Sequence, residues 1–294
     1  HLDVRENTIF TYWKGRVALF TALKAMGVGS GDEVILPAFT CVVVPNAILY
    51  LGATPIYVDI DKETLCAKAS AVEAKISART KCILIQNMLG LSSQVNQIVG
   101  LAKSKGIYSI EDCTHGFGGT YEGISNGLHT DCAFYSSQWN KPFSTGIGGI
   151  LYIKNETLLP AIEHLNKELK TPSSKNVLVL RTLLFARMYV LKNWSYWFLL
   201  RLYRKLSALG LVVGSSSKQE IESIDEPDDY FMGLSDVQAK KGVKALKKLD
   251  AVLQIRKKNG HLVNDWMKDH NKYHLKAALL KNHSFLKFPA IVKD

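Results

Sequence analysis

Short apolar runs alternate along this chain with longer stretches in which apolar residues recur every three or four positions. The first pattern is typical of buried strands, and the second is typical of helices with one apolar face. Strands that are separated by helices form a mostly parallel sheet with helices on both faces, so the sequence predicts an α/β fold. The predicted strands are 33–37, 55–59, 82–86, 107–111, 132–136 and 149–153, and the predicted helices are 16–27, 41–51, 69–77, 95–105 and 156–169.

One lysine lies between two of these strands. Lys141 follows the apolar run Cys132 to Tyr135 and a polar turn, and it precedes the glycine-rich loop Gly146 to Gly149. A lysine held between buried strands loses water, which lowers the pKa of its amine and frees it for Schiff-base chemistry. Because an ordinary solvated loop can also carry a single lysine, this motif does not decide the matter alone.

A second motif lies where the predicted strand 107–111 ends. The apolar run closes on two acids, Glu111 and Asp112, and continues into the small-residue turn Cys113-Thr114-His115-Gly116. Functional groups gather at the carboxyl ends of strands in open α/β sheets. Pyridoxal phosphate needs a lysine for its aldehyde and an acid that keeps its pyridine nitrogen protonated. Asp112 and Lys141 match this pair, although Asp112 taken alone is equally compatible with a strand-end cap.

Seven segments resemble, in the same order, the DegT/StrS family of sugar aminotransferases, which have the type I fold of pyridoxal phosphate enzymes. The resemblance covers residues 14–154 well and 231–265 loosely. No segment is decisive alone, but the shared order is hard to obtain by chance. The segments are Gly15-Arg16-Val17-Ala18-Leu19, Gly31 to Pro37, Leu51 to Asp61, Arg79-Thr80-Lys81, Glu111-Asp112, Lys141 with Gly146 to Gly149, and Leu234 to Ala239.

The resemblance implies a role for each candidate residue. Lys141 would hold the cofactor covalently and then move a proton, and Asp112 would face the pyridine nitrogen. The implied reaction converts a keto sugar, expected to be linked to a nucleotide, into an amino sugar for a surface polysaccharide or related glycan, with glutamate as amino donor. A dehydratase branch of the family has histidine in place of the lysine, and Lys141 argues against that branch. The other cofactor-binding candidates are Gly15, Arg16, Val17 and Ser136 around the phosphate, and Cys41 and His115 at the ring; no metal ligand is expected.

Several positions depart from the family's usual residues. A small hydroxyl residue is usual at Arg16, and a cation there offers the phosphate a charge-assisted hydrogen bond instead. These departures keep open a second hypothesis, a non-catalytic or repurposed, membrane-associated member with an altered cofactor pocket. The remaining departures are Cys41 for a stacking aromatic, Asn87 for histidine, His115 for glutamine, Ile147 for glutamate, and Gly233 near the place of an asparagine that reaches the partner subunit's phosphate.

Composition agrees with a cytoplasmic enzyme. The 294 residues, 47% of them hydrophobic, can build one large domain and part of another. We expect a cofactor-binding large domain over 1–230 and a long helix leading into a small C-terminal domain over 231–294, and we interpret the chain as a piece of a longer protein that forms a homodimer. Its five cysteines lie in or beside apolar runs without paired spacing, which favours reduced thiols over disulfides or zinc. No signal peptide opens the chain.

The net charge of +11 indicates that the protein has an anionic partner. Nucleic acid is not expected, because the basic residues are scattered and no nucleic-acid motif is present. The diphosphate of a nucleotide sugar is anionic and would be attracted. The lysines of a further predicted helix, 234–269, are expected to form its solvated face.

Residues 177–210 combine apolar, aromatic and basic side chains. Between 177 and 205 the segment has six basic residues, seven aromatic residues and no acid. It has no uncharged run near the ~18 apolar residues of a membrane span, and it breaks at Asn193-Trp194-Ser195 into two short helices. Two interpretations are open: a helical pair packed on a dimer partner, or a segment lying on an anionic membrane at its inner face. The family's usual sequence is less apolar here, which favours membrane contact.

Overall fold

A central sheet organises the protein, whose computed structural model describes residues 4–208 and 223–291. In these ranges the seven strands are ordered β1-β9-β8-β5-β4-β2-β3, and β6 and β7 form a separate hairpin. The strands are β1 (Ile9–Tyr12), β2 (Glu33–Pro37), β3 (Thr54–Val58), β4 (Thr80–Gln86), β5 (Tyr108–Asp112), β6 (Thr120–Tyr121), β7 (Ile124–Ser125), β8 (Cys132–Ser136) and β9 (Gly149–Ile153). The helices are α1 (Gly15–Ala25), α2 (Val43–Leu49), α3 (Ala69–Glu73), α4 (Val95–Ser104), α5 (Leu159–Asn166), α6 (Ser174–Phe185), α7 (Tyr196–Ala208), α8 (Asp236–Leu246), α9 (Leu249–Asp269) and α10 (Ala277–Asn282).

The predicted, mostly parallel α/β sheet is confirmed. Strands β3, β2, β4, β5 and β8 run parallel to their neighbours, and β9 and β1 add an antiparallel edge. Parallel strands need crossover connections, which the helices between them supply. As a result, the carboxyl ends of β4, β5 and β8 meet at one edge of the sheet.

Apolar side chains cover both faces of the sheet. Along β2, Val34 and Leu36 point into the core that α1, α2 and α5 close, whereas Ile35 points into the core that α3 and α4 close. Successive strand residues point to opposite faces, so a run that is apolar at every position belongs in a strand buried on both sides.

Some elements differ from the sequence-based prediction. Strand β1 was missed because it is a four-residue edge strand with a polar residue in its middle. The predicted helix 69–77 ends at Glu73, and the predicted helix 234–269 is two helices, α8 and α9. The break at Asn193 to Ser195 is present between α6 and α7; residues 209 and 210 of the apolar, basic segment lie outside the described residues. All five cysteines are free, and Cys41 alone among them is exposed.

A buried glutamine connects α8 to the beginning of α1. Ser235 and Gln238 form a capping box at the start of α8, and Gln238 is fully buried. Its side-chain Nε2 also donates to the carbonyl oxygens of Trp13, at 3.2 Å, and of Ile147, at 2.6 Å. One amide therefore ties together the entry to α1, the glycine-rich loop and the C-terminal helices.

We expect Gly149→Ala to destabilise the fold by about 1–3 kcal/mol, because a Cβ there overpacks a closed site. That Cβ would lie 2.4 Å from the Lys14 carbonyl oxygen and 2.7 Å from the Gly15 Cα, and backbone atoms cannot rotate away. Urea unfolding measures the change in free energy of unfolding. Gly100→Ala is the matched control: it lies on exposed α4 with no atom within 4 Å, so alanine should stabilise by about 0.8–1 kcal/mol. Equal stability of wild type and Gly149→Ala would contradict the close approach of β9 and α1.

Candidate active site

A cavity of about 60 Å³ lies between the start of α1, the end of β8 and the glycine-rich loop. Four of the residues predicted from sequence contribute to its wall: Gly15, Arg16, Ser136 and Lys141. The other lining residues are Lys14, Thr114, Phe134, Gln138, Ile147 and Gly148. The motifs that the sequence singled out more than a hundred residues apart therefore meet in one place.

Asp112 is the last residue of β5 and is 2% exposed. Its Oδ2 accepts a hydrogen bond from Gln86 Nε2 at 3.0 Å, and its Oδ1 accepts one from the Thr114 backbone N–H at 2.9 Å. Burial raises the pKa of this carboxyl, while the bonds from Thr114 and the positive charge of Lys141 oppose the rise. The carboxyl is thus fixed in orientation and depends on a nearby cation for its charge.

Lys141 lies in the turn between β8 and the glycine-rich loop, where its backbone N–H donates to the Gln138 carbonyl at 3.0 Å. Burial lowers the pKa of its amine, and the negative charge of Asp112 works in the opposite direction. Desolvation disfavours the ammonium form, so a larger fraction of the amine is unprotonated and nucleophilic than in a solvated lysine.

His115 is partly buried three residues after Asp112. Burial lowers the pKa of its imidazole to about 3, with smaller contributions from the charges of Lys141 and Lys287. The Leu89 backbone N–H donates to its Nδ1 at 3.2 Å, which leaves the proton of the neutral ring on Nε2. His115 is therefore a neutral ring at ordinary pH, close to the charged amines of Lys141 and Lys287.

The phosphate end of the predicted site lies at the start of α1. A Cβ on Gly15 would lie 3.0 Å from the Ser136 Cβ, so glycine lets the first turn of the helix approach the end of β8. The positive end of a helix dipole favours an anion there. Val17 is placed differently from the prediction: it is absent from the cavity wall, and its N–H donates to the Lys14 carbonyl at 3.2 Å.

Cys41 lies in the exposed loop between β2 and α2, close enough to Lys141 for an electrostatic interaction. Three other positions that depart from the family pattern have structural partners. Asn87 is fully buried and its Nδ2 donates to Ser92 Oγ at 3.1 Å, and the Ile147 carbonyl is the acceptor for Gln238. The Gly233 N–H donates to the Lys170 carbonyl at 3.0 Å.

Sequence reasoning missed several residues of the site. Gln86, which holds the Asp112 carboxyl, ends β4 and pairs in register with Asp112. A glutamine that closes an otherwise apolar strand was a usable signal, but its partner becomes visible only once β4 and β5 are known to be neighbours. Thr114, Phe134 and Gln138 also contribute to the wall, although none of them was a predicted site residue.

The groups around the cavity fit the three reactive parts of pyridoxal phosphate. An amine at Lys141 suits the aldehyde, and a buried carboxyl at Asp112 suits a protonated ring nitrogen. A hydroxyl at Ser136, a cation at Arg16 and the Gly15 cradle at a helix start suit the phosphate.

Residues 6–178 match the family model described as DegT/DnrJ/EryC1/StrS aminotransferase family. GDP-perosamine synthase from Escherichia coli O157:H7 is 42% identical over 154 residues, which are 52% of this chain and 42% of that protein. The chain thus spans less than half the length of this curated relative.

Solved structures with similar folds extend along almost the whole chain. The aminotransferase from Psychrobacter cryohalolentis superposes with a TM-score of 0.71 at 22% identity, over 95% of this chain and 64% of that one. The Escherichia coli GDP-4-keto-6-deoxy-D-mannose-3-dehydratase with bound hydrated PLP superposes with a TM-score of 0.70 at 20% identity, over 97% and 67%. At this level of identity the likeness establishes the fold.

We expect Lys141→Ala to abolish covalent attachment of pyridoxal phosphate while the protein stays folded. Borohydride reduction followed by denaturation and peptide mass spectrometry should find the cofactor on Lys141 of the wild type and on no peptide of the variant. Lys103→Ala, which removes an exposed lysine at the end of α4, is the control and should be labelled like the wild type. Stoichiometric labelling of Lys141→Ala at another lysine would contradict the assignment.

Proposed function

Because this chain belongs to the DegT/DnrJ/EryC1/StrS aminotransferase family, we propose that the protein transfers an amino group to the carbonyl carbon of a nucleotide-linked keto sugar. Aminotransferases of this family are pyridoxal phosphate enzymes. The observation that carries the proposal is the buried pair of Asp112 and Lys141, whose charges influence each other beside a cavity lined by Gly15, Arg16 and Ser136.

The substrate class is proposed from the names of the relatives. A GDP-perosamine synthase is 42% identical in the matched region, so a GDP-linked keto sugar is the first candidate. The net charge of +11 agrees with an anionic diphosphate substrate. Glutamate is the proposed amino donor, and the amino sugar would serve the assembly of a surface polysaccharide or related glycan.

Pyridoxal phosphate, when bound, supplies an aldehyde that condenses with amines and a ring that takes up electrons from the reacting carbon. Lys141 holds the aldehyde until an amine displaces it. Its released amine then takes the proton from the donor carbon and returns a proton at the position where the new amine is formed. The lowered pKa of Lys141 suits this exchange, since an amine that gives and accepts a proton works best near the ambient pH.

Asp112 keeps a proton on the ring nitrogen. The hydrogen bonds from Gln86 and Thr114 hold its carboxyl in one orientation, and a cation at the ring nitrogen favours the ionised carboxylate against burial. His115, neutral and half-buried, adds an aromatic ring without a competing positive charge. Ser136, Arg16 and the first turn of α1 would bind the phosphate.

Two further proposals concern the assembly of the protein and its division into domains. Exposed Phe39 and Val42 flank Cys41 beside the site, which supports a homodimer with the active site at its interface. The non-catalytic alternative is not favoured, because Lys141 and Asp112 are both present and buried together. We also propose 1–230 as the cofactor-binding domain and 231–294 as the long helical connection to a smaller one.

We expect Asp112→Asn to bind pyridoxal phosphate but to slow amino transfer by several orders of magnitude. Asparagine keeps the shape of the side chain and cannot hold the ring nitrogen protonated, so the reacting carbon loses its electron sink. The assay uses the full-length protein with pyridoxal phosphate, L-glutamate and a GDP-linked 4-keto sugar, and mass spectrometry detects the amino sugar. Asp265→Asn, an exposed change on α9, is the control with wild-type rate. A near-normal rate in Asp112→Asn would mean that another group faces the ring nitrogen.

A further inference from the structure

Two helices project from the active-site side of the fold. We call residues 177–208 the apolar–basic hairpin: most of α6, a π-helical turn over Ala186–Val190, the turn at Lys192 to Ser195, and α7. The family match ends at residue 178, so nearly all of the hairpin lies beyond it.

The hairpin is attached to the loop that carries Lys141. Arg187 Nη2 donates to the Trp139 carbonyl at 3.1 Å, and its guanidinium lies 5.4 Å from the Trp139 ring centre. Leu180, 1% exposed, packs in a cluster with Trp13, Ile147 and Met232. The base of the hairpin is therefore fixed to the body of the protein, at the edge of the candidate active site.

The hairpin exposes large apolar side chains at its turn and on both helices. Trp194 at the turn is 85% exposed, and Trp197 and Phe198 in the first turn of α7 are 68% and 69% exposed. Leu178 on α6 is 64% exposed, and an open apolar groove runs between the two helices. Exposed apolar surface of this extent marks a contact with a partner or a membrane.

The charge of the hairpin has one sign. Its six basic residues are exposed, and its sequence contains no acid. On α7, Arg201, Arg204 and Lys205 lie one to two turns after Trp197 on the same face. The basic residues are Arg181, Arg187, Lys192, Arg201, Arg204 and Lys205.

The positive charge of the hairpin favours an anionic membrane over a second copy of the chain as its binding partner. A second copy of the chain would form a two-fold interface in which the same patch meets itself, so like charges would face each other. An anionic bilayer offers the opposite charge, and tryptophan and tyrosine favour its headgroup layer. Within residues 4–208 and 223–291, no helix has the length and hydropathy of a membrane span.

We propose that the apolar–basic hairpin binds the surface of an anionic lipid bilayer, with Trp194, Trp197 and Phe198 inserted among the headgroups and with Arg201, Arg204 and Lys205 beside the lipid phosphates. Because the base of the hairpin contacts Trp139, this contact holds the active-site edge near the bilayer. The proposal does not depend on the reaction proposed above, since binding is measured without substrate.

Flotation of the full-length protein with vesicles tests the proposal. We expect the protein to float with phosphatidylcholine vesicles that contain phosphatidylglycerol, much less with pure phosphatidylcholine, and less at high salt, because salt screens exposed charges. Arg201→Glu, Arg204→Glu and Lys205→Glu together should weaken partitioning by roughly 100-fold or more, from about a fivefold loss for each cation. Trp194→Ser with Trp197→Ser should weaken binding that persists at high salt, because it removes the inserted rings and leaves the charge unchanged.

The matched control reverses the same number of charges elsewhere. Lys240 and Lys244 are exposed on α8 and Lys247 is exposed directly after it, and their change to glutamate should leave flotation close to that of the wild type. The proposal is overturned if the wild type does not float, if it floats equally with neutral vesicles, or if the α8 variant loses binding as much as the α7 variant. Conversion of a dimer to a monomer by the α7 changes in analytical ultracentrifugation, without an effect on flotation, would assign the hairpin to a subunit interface instead.

Discussion

The candidate site depends on keeping two opposite charges largely out of water. Burial alone would neutralise both Asp112 and Lys141, raising the pKa of the first and lowering that of the second, and each group's charge partly reverses the effect on the other. The sheet makes this arrangement possible, because β5 and β8 are parallel neighbours whose carboxyl ends bring the two motifs together. The hydrogen bonds from Gln86 and Thr114 then fix the acid, while the amine stays free to react.

Much of the fold follows from local sequence, and part of the site does not. The strands at 33–37, 132–136 and 149–153 match the prediction because each is a short apolar run with clear boundaries. Asp112 and Lys141 were found because their motifs are local as well. Gln86 and Gln238 were missed as positioning residues, since their partners are set by strand order and by a contact across the whole chain. The use of the Val17 N–H within its own helix turn is likewise invisible in the sequence.

The apolar–basic hairpin and the glycine-rich loop differ in how they pack against the rest of the protein. Glycine at 149 lets the backbone of β9 approach the backbone at the start of α1, so the two are closely packed beside the cavity. The hairpin, by contrast, has its large side chains outward and is connected to the wall mainly through Trp139, Leu180 and Arg187. The candidate site and the exposed apolar surface of the hairpin are therefore next to each other, joined by the loop that carries Lys141.

The contact of Gln238 with Trp13 also has a consequence for the order of folding. Its amide reaches across 225 positions of the chain, and bringing such distant segments together has a high entropic cost. During synthesis the parallel strands are complete long before residue 238 is made, so the sheet can form while the entrance to α1 still lacks its clamp. The scaffold of parallel strands can thus form before the contact that fixes the entry to α1.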